Sequence, residues 1–204
     1  MLHFEAINSG SLELLKKIMV HPSFGEFFLV GGTGLALQFG HRLSDDLDLF
    51  SQKAFEPMQM LMILEQMGSV KVTGETKNTL NCFVDGIKLD MIGYFYPLIS
   101  DLVLIESIRI ASVQDIAAMK LSAIAQRGSK KDFYDLNELL SSYNLSELFG
   151  FFNMKFPSID SFHILRSLTY FEDADAEKEP KLLKKITWKQ VKTNIIRSVK
   201  YFSI

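Results

Sequence analysis

Asp46 and Asp48, separated by one leucine, are the feature that most constrains this chain. They lie in Ser44-Asp45-Asp46-Leu47-Asp48-Leu49-Phe50, downstream of Gly31-Gly32-Thr33. Leu47, Leu49 and Phe50 predict a strand, and alternate side chains of a strand leave on the same face. Asp46 and Asp48 then stand together, while Asp45 points away into a solvated turn. Two carboxylates so close repel each other unless a cation sits between them. Mg²⁺ takes oxygen ligands of this kind and bridges them to substrate phosphates. The pattern points to a metal-dependent phosphoryl or nucleotidyl transfer site. An isolated Asp-x-Asp also suits an ordinary surface turn, so its neighbours must decide.

The first neighbour is a third carboxylate, Asp90, in Ile87-Lys88-Leu89-Asp90-Met91-Ile92. Thr79–Val84 and Ile87–Tyr94 flank Asp85-Gly86, a strong hairpin signal. On the second arm Lys88, Asp90 and Ile92 share a face. A charge within an apolar strand is costly to bury unless it is paired or liganded. A salt bridge to a Lys or Arg satisfies that demand, and so does a metal. If this arm lies beside the Asp46/Asp48 strand, the three acids can hold one or two ions. Asp90 could also serve as base for a substrate hydroxyl. The second neighbour is the glycine turn. Gly31-Gly32 lets backbone N–H groups approach a phosphate, and a helix N-terminus follows. Thr33 is expected to cap that helix and to add a hydroxyl donor. Neither a Walker loop nor a dinucleotide fingerprint is present.

Around these residues the periodicities predict helices over 11–19, 35–39 and 57–67, and strands over 27–30, 46–50, 79–84 and 87–94. That alternation predicts an α/β (α+β) unit, a mixed sheet flanked by helices. After about residue 100 the pattern becomes helical, with helices expected over 113–127, 132–141, 145–152, 159–170 and 188–202. Ser112-Val113-Gln114-Asp115 resembles a capping box with Asp in the usual Glu position. The expected division is an α/β core over 1–105 and a helical unit over 106–204, packed on it.

The chain has 204 residues and is 48% hydrophobic, enough for a real core. Its net charge of -2 gives no global attraction to polyanions or anionic membranes. Charge is uneven near the end: Glu172, Asp173, Asp175, Glu177 and Glu179 crowd an expected loop. Lys181, Lys184, Lys185, Lys189, Lys192, Arg197 and Lys200 follow with no acid among them. This is either a solvated helix face or a local footprint for RNA or an acidic partner. The single cysteine, Cys82, excludes an internal disulfide and a cysteine-rich zinc site. It fits a reducing cytoplasm. No secretory signal is visible, and no apolar run is long enough to span a bilayer. A cytoplasmic protein without a membrane partner is expected.

The whole stretch from Gly31 through Phe50 resembles the signature of the AbiEii/AbiGii nucleotidyltransferase-like toxin family, within the DNA polymerase β-like nucleotidyltransferase superfamily. Thr33 stands where the superfamily has serine, and Asp90 fits the third acid. A second segment, Ala118 through Leu136, is similar to the family's Lys-Leu-x-Ala-x-x-x-Arg and Lys-Asp-x-x-Asp-Leu motifs. It carries Lys120, Arg127, Lys131, Asp132 and Asp135. The likeness covers roughly residues 25–140. It implies Mg²⁺ (or Mn²⁺) held by Asp46, Asp48 and Asp90, and an NTP as donor. It also implies that Gly31, Gly32 and Thr33 hold the β- and γ-phosphates. Lys120 would touch the triphosphate, with Arg42, Arg127, Lys131 and Asp132 also in the substrate site, and Asp135 would orient the lysine or arginine. The implied acceptor is a hydroxyl, such as the 3′ end of a tRNA or other RNA. The implied setting is a type IV toxin–antitoxin or abortive-infection system with a cognate antitoxin. Two other readings stay open: a transferase acting on a small molecule or protein hydroxyl, and a non-catalytic binding module on the same fold.

Overall fold

The computed structural model of the chain describes residues 2–202. Helix α1 (Ser9–Val20) leads into strand β1 (Phe27–Leu29), helix α2 (Gly31–Phe39), strand β2 (Leu47–Ser51) and helix α3 (Pro57–Leu64). A meander of β3 (Val70–Thr76), β4 (Thr79–Val84) and β5 (Ile87–Gly93) follows, then a short hairpin, β6 (Val103–Ile105) and β7 (Ile108–Ile110). The rest is helical: α4 (Val113–Gln126), α5 (Lys130–Leu139), α6 (Leu145–Lys155), α7 (Phe162–Ser167), α8 (Glu172–Ala176) and α9 (Trp188–Lys200).

The strands form one seven-stranded sheet in the order β3-β4-β5-β2-β1-β7-β6. It is mixed, as the sequence predicts: β2–β5 and β1–β7 are parallel and the other pairs antiparallel. The decisive pairing is β2 with β5, in which Leu47 lies opposite Leu89, Asp48 opposite Asp90 and Leu49 opposite Met91. Leu47, Leu49, Leu89 and Met91 are fully buried on one face. Each contributes about 1.5–3 kcal/mol by leaving water. A one-residue slip would turn the carboxylates into that core, so the leucines fix where the acids stand. Asp85 and Gly86, with φ of 49° and 82°, make the tight hairpin turn that their sequence predicts.

Several elements differ from the sequence expectation. Helix α2 begins at Gly31, so Thr33 lies inside the helix instead of capping it. Strand β3 is additional; it is an edge strand with mostly exposed residues, and its apolar alternation is limited to Val70 and Val72. The β6–β7 hairpin straddles residue 105, and β7 pairs with β1. The sheet therefore ends at Ile110, and the elements from Val113 onward are helices. The acidic segment expected as a loop contains the short helix α8. At α4, Ser112 caps the helix by accepting the Asp115 N–H, but Asp115 does not close a reciprocal box. Its buried carboxylate instead accepts the N–H groups of Ile99 and Ser100 and pairs with the buried Lys155 at 2.7 Å. After α8 the chain returns as a strap along residues 41–43: the Leu43 N–H donates to Lys181 O (2.8 Å) and the Leu183 N–H to His41 O (2.9 Å).

Candidate active site

Asp48 and Asp90 project from adjacent parallel strands at the same level, with Asp46 two residues before Asp48 at the mouth of β2. All three line a cavity of about 100 Å³ together with Gly31, Gly32, Arg42, Lys88, Lys120, Arg127 and Lys131. The glycines are required by contact. Gly31 has φ +67°, and a Cβ there would collide with Asp48 Oδ2. A Cβ on Gly32 would collide with the Arg42 guanidinium. The N–H groups of Gly31, Gly32 and Thr33 precede the first helical bond of α2, from Gly34 N–H to Val30 O. They form an anion-attracting corner. The Thr33 side chain is fully buried and does not line the cavity. It donates to Asp46 O at 2.5 Å and lies 2.9 Å from Ser44 Oγ. Thr33 thus pins the backbone of an acid, where the sequence suggested a phosphate donor.

The three acids share the cavity, but their carboxylates are not gathered into a chelate. Among the described residues no three acid, histidine or cysteine groups are close enough to hold one ion. Asp90 is drawn aside by Lys88 Nζ (2.5 Å) and Asn81 Nδ2 (2.8 Å), the salt bridge that its sequence context left open. Asp46 is half exposed and lies 3.8 Å from Lys131 Nζ. Asp45 faces away, as expected, and accepts the Asn8 N–H. Among the described residues no donor meets the Asp48 carboxylate. Burial pushes that carboxyl above the usual range, and Asp90 and Asp46 push the same way against the pull of Lys120. An unpartnered, largely buried carboxylate flanked by two more oxygen donors fits a hard divalent cation. Asp46 and Asp48 are the residues that would hold it, with Asp90 joining on release from Lys88.

Three of the cavity's five cations, Lys120, Arg127 and Lys131, come from the helical half, and Arg42 and Lys88 from the α/β half. Asp135, fully buried on α5, accepts two bonds from Arg42 (2.7 and 2.8 Å), one from His41 Nε2 (2.8 Å) and a contact with Lys120 Nζ (2.6 Å). Asp132, one turn earlier, accepts from Lys120 (2.9 Å), Arg127 (2.9 and 3.1 Å) and Ser129 (2.7 Å). Burial disfavours both carboxylates, yet Lys120 and the arginines hold them below the usual carboxylate range. Burial likewise opposes the Lys120 charge, but Asp135 and Asp132 keep its ammonium above the ordinary lysine value. Neither Asp132 nor Asp135 lines the cavity. The sequence reading placed Asp132 in the substrate site; the structure seats it behind the cations, since a carboxylate facing a phosphate would repel it. Arg42, Lys120, Arg127 and Lys131 do reach the cavity.

Sequence reasoning did not assign Lys88 or Asn81 a role at the site, nor the wall beyond Asp48 and Asp90. A larger cavity of about 470 Å³ shares Gly31, Asp48, Asp90, Lys120 and Arg127 with the first and continues over Phe50, Tyr94, Tyr96 and Phe156. Ring centroids run 4.6 Å from Phe50 to Tyr94, 5.1 Å on to Tyr96 and 4.9 Å on to Phe156. The available signal was Tyr94-Phe95-Tyr96, an aromatic run at the end of the strand that carries Asp90.

Known proteins resemble this chain in sequence and in fold. The chain is 38% identical over 200 residues to the uncharacterized protein aq_aa25 of Aquifex aeolicus (strain VF5), covering 93% of this chain and 94% of that one. Its fold is similar to the crystal structure of JHP933 from Helicobacter pylori, with a TM-score of 0.57 at 18% identity over 95% of this chain and 92% of that one. It is also similar to MenT4, a nucleotidyltransferase toxin of Mycobacterium tuberculosis H37Rv, with a TM-score of 0.51 at 14% identity over 98% and 87%. The family profile described as nucleotidyl transferase AbiEii toxin, type IV toxin–antitoxin system, matches residues 13–81 and 85–200. The chain therefore belongs to the AbiEii family of nucleotidyltransferase toxins.

Proposed function

We propose that this enzyme transfers a nucleotide from an NTP to the 3′-hydroxyl of an RNA, using Asp46, Asp48 and Asp90 as its reaction centre. The observation that carries the reading is the level pairing of Asp48 with Asp90 across β2 and β5, against the glycine corner and within reach of Lys120 and Arg127. A divalent cation, Mg²⁺ or Mn²⁺, bound by Asp46 and Asp48 with Asp90 alongside, would polarise the phosphoryl oxygens and offset their charge. The chain's own groups do the rest. The N–H groups of Gly31 and Gly32, with Lys120 and Lys131, bind the β- and γ-phosphates. The aromatic wall of Tyr94, Tyr96 and Phe156 receives the base. The acceptor oxygen bonds to the α-phosphorus as the bond to the bridging oxygen breaks and pyrophosphate leaves. Asp90 takes the hydroxyl proton. The acid-bearing strands hold the reacting groups, and Lys120, Arg127 and Lys131 of the helical half join Arg42 and Lys88 in supplying cations, so the two halves share one site. Catalysis rests on positioning and fixed charge.

The exposed lysines of the strap and of α9 support an RNA acceptor over a small molecule, because the strap begins beside Arg42. Membership of a type IV toxin–antitoxin family implies an antitoxin as partner. Among the described residues no helix is long and apolar enough to cross a membrane, and both substrates place the reaction in the cytoplasm. The test is incubation with each labelled NTP, Mg²⁺ and total RNA, alongside an Asp46→Asn/Asp48→Asn control. Label should move to RNA with the wild type and not with the control; transfer that survives the double substitution refutes this centre.

A further inference from the structure

A third cavity, about 350 Å³, is lined by Gln126, Arg127, Arg166, Ser167, Tyr170 and Asp173 among others. It meets the other two at Arg127, which lines all three. Arg127 commits Nε and one terminal nitrogen to Asp132 and keeps the other, Nη1, free of it. Its side chain is 58% exposed. Among the described residues Arg166 has no acidic partner. Tyr170 is about half exposed, with its hydroxyl held by Glu172 Oε2 at 3.1 Å, which leaves the ring as the contact surface. The cavity lacks Gly31, Asp48 and Asp90, so it cannot seat the triphosphate that must reach those groups.

We infer that this cavity binds the 3′-terminal nucleotides of the RNA acceptor, an assignment that rests on the RNA reading above. Arg166 and the free nitrogen of Arg127 contact a phosphodiester, which two guanidiniums suit. The Tyr170 ring stacks a base, the sequence-tolerant contact typical of single strands. Asp173, the cavity's acid, is an acceptor for a ribose 2′-hydroxyl, the group that separates RNA from DNA. A strand laid through the cavity passes Arg127 and delivers its terminal hydroxyl toward Asp90, while the aromatic cavity keeps the NTP. An acidic peptide would satisfy the arginines but leave the ring and Asp173 without use.

The experiment is fluorescence anisotropy of a 5′-fluorescein-labelled RNA octamer with a free 3′-hydroxyl, titrated with the full chain. Arg166→Gln and Tyr170→Ala, both at exposed positions, should each weaken binding on the order of tenfold. Arg166→Gln should also flatten the dependence of log affinity on log salt by about 0.7. Neither substitution should change NTP binding, and Asp46→Asn/Asp48→Asn should retain RNA binding. Wild-type RNA affinity in both cavity variants overturns the assignment. So does equal affinity for the matching DNA octamer or for an acidic peptide, or loss of NTP binding in the variants. Arg166-dependent RNA binding without any nucleotide transfer would uphold this site and sink the catalytic reading alone.

Discussion

Removing the charge of Asp135 should destabilise the protein far more than removing that of Asp132, although both carboxylates are fully buried. The difference lies in what each leaves behind. Arg42 is 3% exposed, and its guanidinium makes both of its acid bonds to Asp135. Asp135→Asn keeps the shape but strands that cation in a place water does not reach. Breaking a buried pair in this way costs about 3–5 kcal/mol, a large part of the roughly 5–15 kcal/mol that holds a domain together. With an m-value of about 2–3 kcal/mol/M, the urea midpoint should fall by about 1–2.5 M. Asp132→Asn instead releases Arg127, whose side chain is 58% exposed and rehydrates, while Lys120 keeps Asp135 at 2.6 Å. Its cost should be about 1–2 kcal/mol. Equilibrium urea unfolding of the two variants decides the matter. Equal losses, or less than about 1 kcal/mol for Asp135→Asn, would mean that Arg42 is relieved by solvent and that the buried network is not what holds it.

Three further outcomes follow from the same geometry. Asp48→Asn should abolish transfer yet stabilise the metal-free protein by about 0.5–2 kcal/mol, since it removes a desolvated, unpartnered charge; a lowered melting temperature would contradict this. Gly31→Ala should cost at least about 1–2 kcal/mol from its left-handed backbone alone. It should also lose activity, because the new methyl occupies the seat of Asp48 Oδ2; a variant of wild-type activity refutes the seating. Asp132 and Asp135 have folded-state values held below those of the unfolded chain. Their contribution is complete above the unfolded value near ~3.9 and is lost as pH falls below about 4 toward the folded values. Stability measured from pH 5 downward should decline in the wild type and decline less in Asp135→Asn; parallel curves would exclude Asp135 as a source.

The acid-bearing core was legible because its signals are local and redundant. Leu47 and Leu49 alternate with Asp48, Leu89 and Met91 with Asp90, and Asp85-Gly86 supplies the two left-handed residues of its turn. Strand β3 was hidden because its apolar period, Val70 and Val72, stops at Gly74, and Lys71, Thr73 and Glu75 stand at an exposed edge. The β6–β7 turn was hidden for another reason: Glu106 and Ser107 both take positive φ without a glycine or asparagine to announce it. At the site, the acids Asp46, Asp48 and Asp90 and the cations Arg42, Lys120, Arg127 and Lys131 singled out from sequence line one cavity. The sequence could not show that Thr33 turns inward or that Asp132 faces cations, because direction depends on partners far along the chain. The Lys88–Asp90 pair was within reach of sequence, two residues apart on one strand face.

The charges of the cleft bear on how a nucleotide enters it. Arg42, Lys88, Lys120, Arg127 and Lys131 face Asp46, Asp48 and Asp90, and Asp132 and Asp135 stand directly behind them. Five cations thus meet five carboxylates, and the positive charge that looks available to a triphosphate is already neutralised within the protein. Arg42 cannot turn to a phosphate without giving up both of its bonds to Asp135 in a dry interior, which costs more than the new contact returns. Lys120 meets a phosphate with its charge already balanced by Asp132 and Asp135. The incoming phosphates must therefore bring their own counter-charge past Asp46 and Asp48, and a divalent cation does so while relieving the repulsion among those acids. NTP binding measured by calorimetry should accordingly be weak in EDTA and strengthen by at least tenfold with millimolar Mg²⁺. The gain should vanish in Asp46→Asn/Asp48→Asn, where the repulsion is already removed. Tight binding in EDTA would mean that the lysines and arginines are free to serve the substrate directly, and the balance argued from Asp132 and Asp135 would fail.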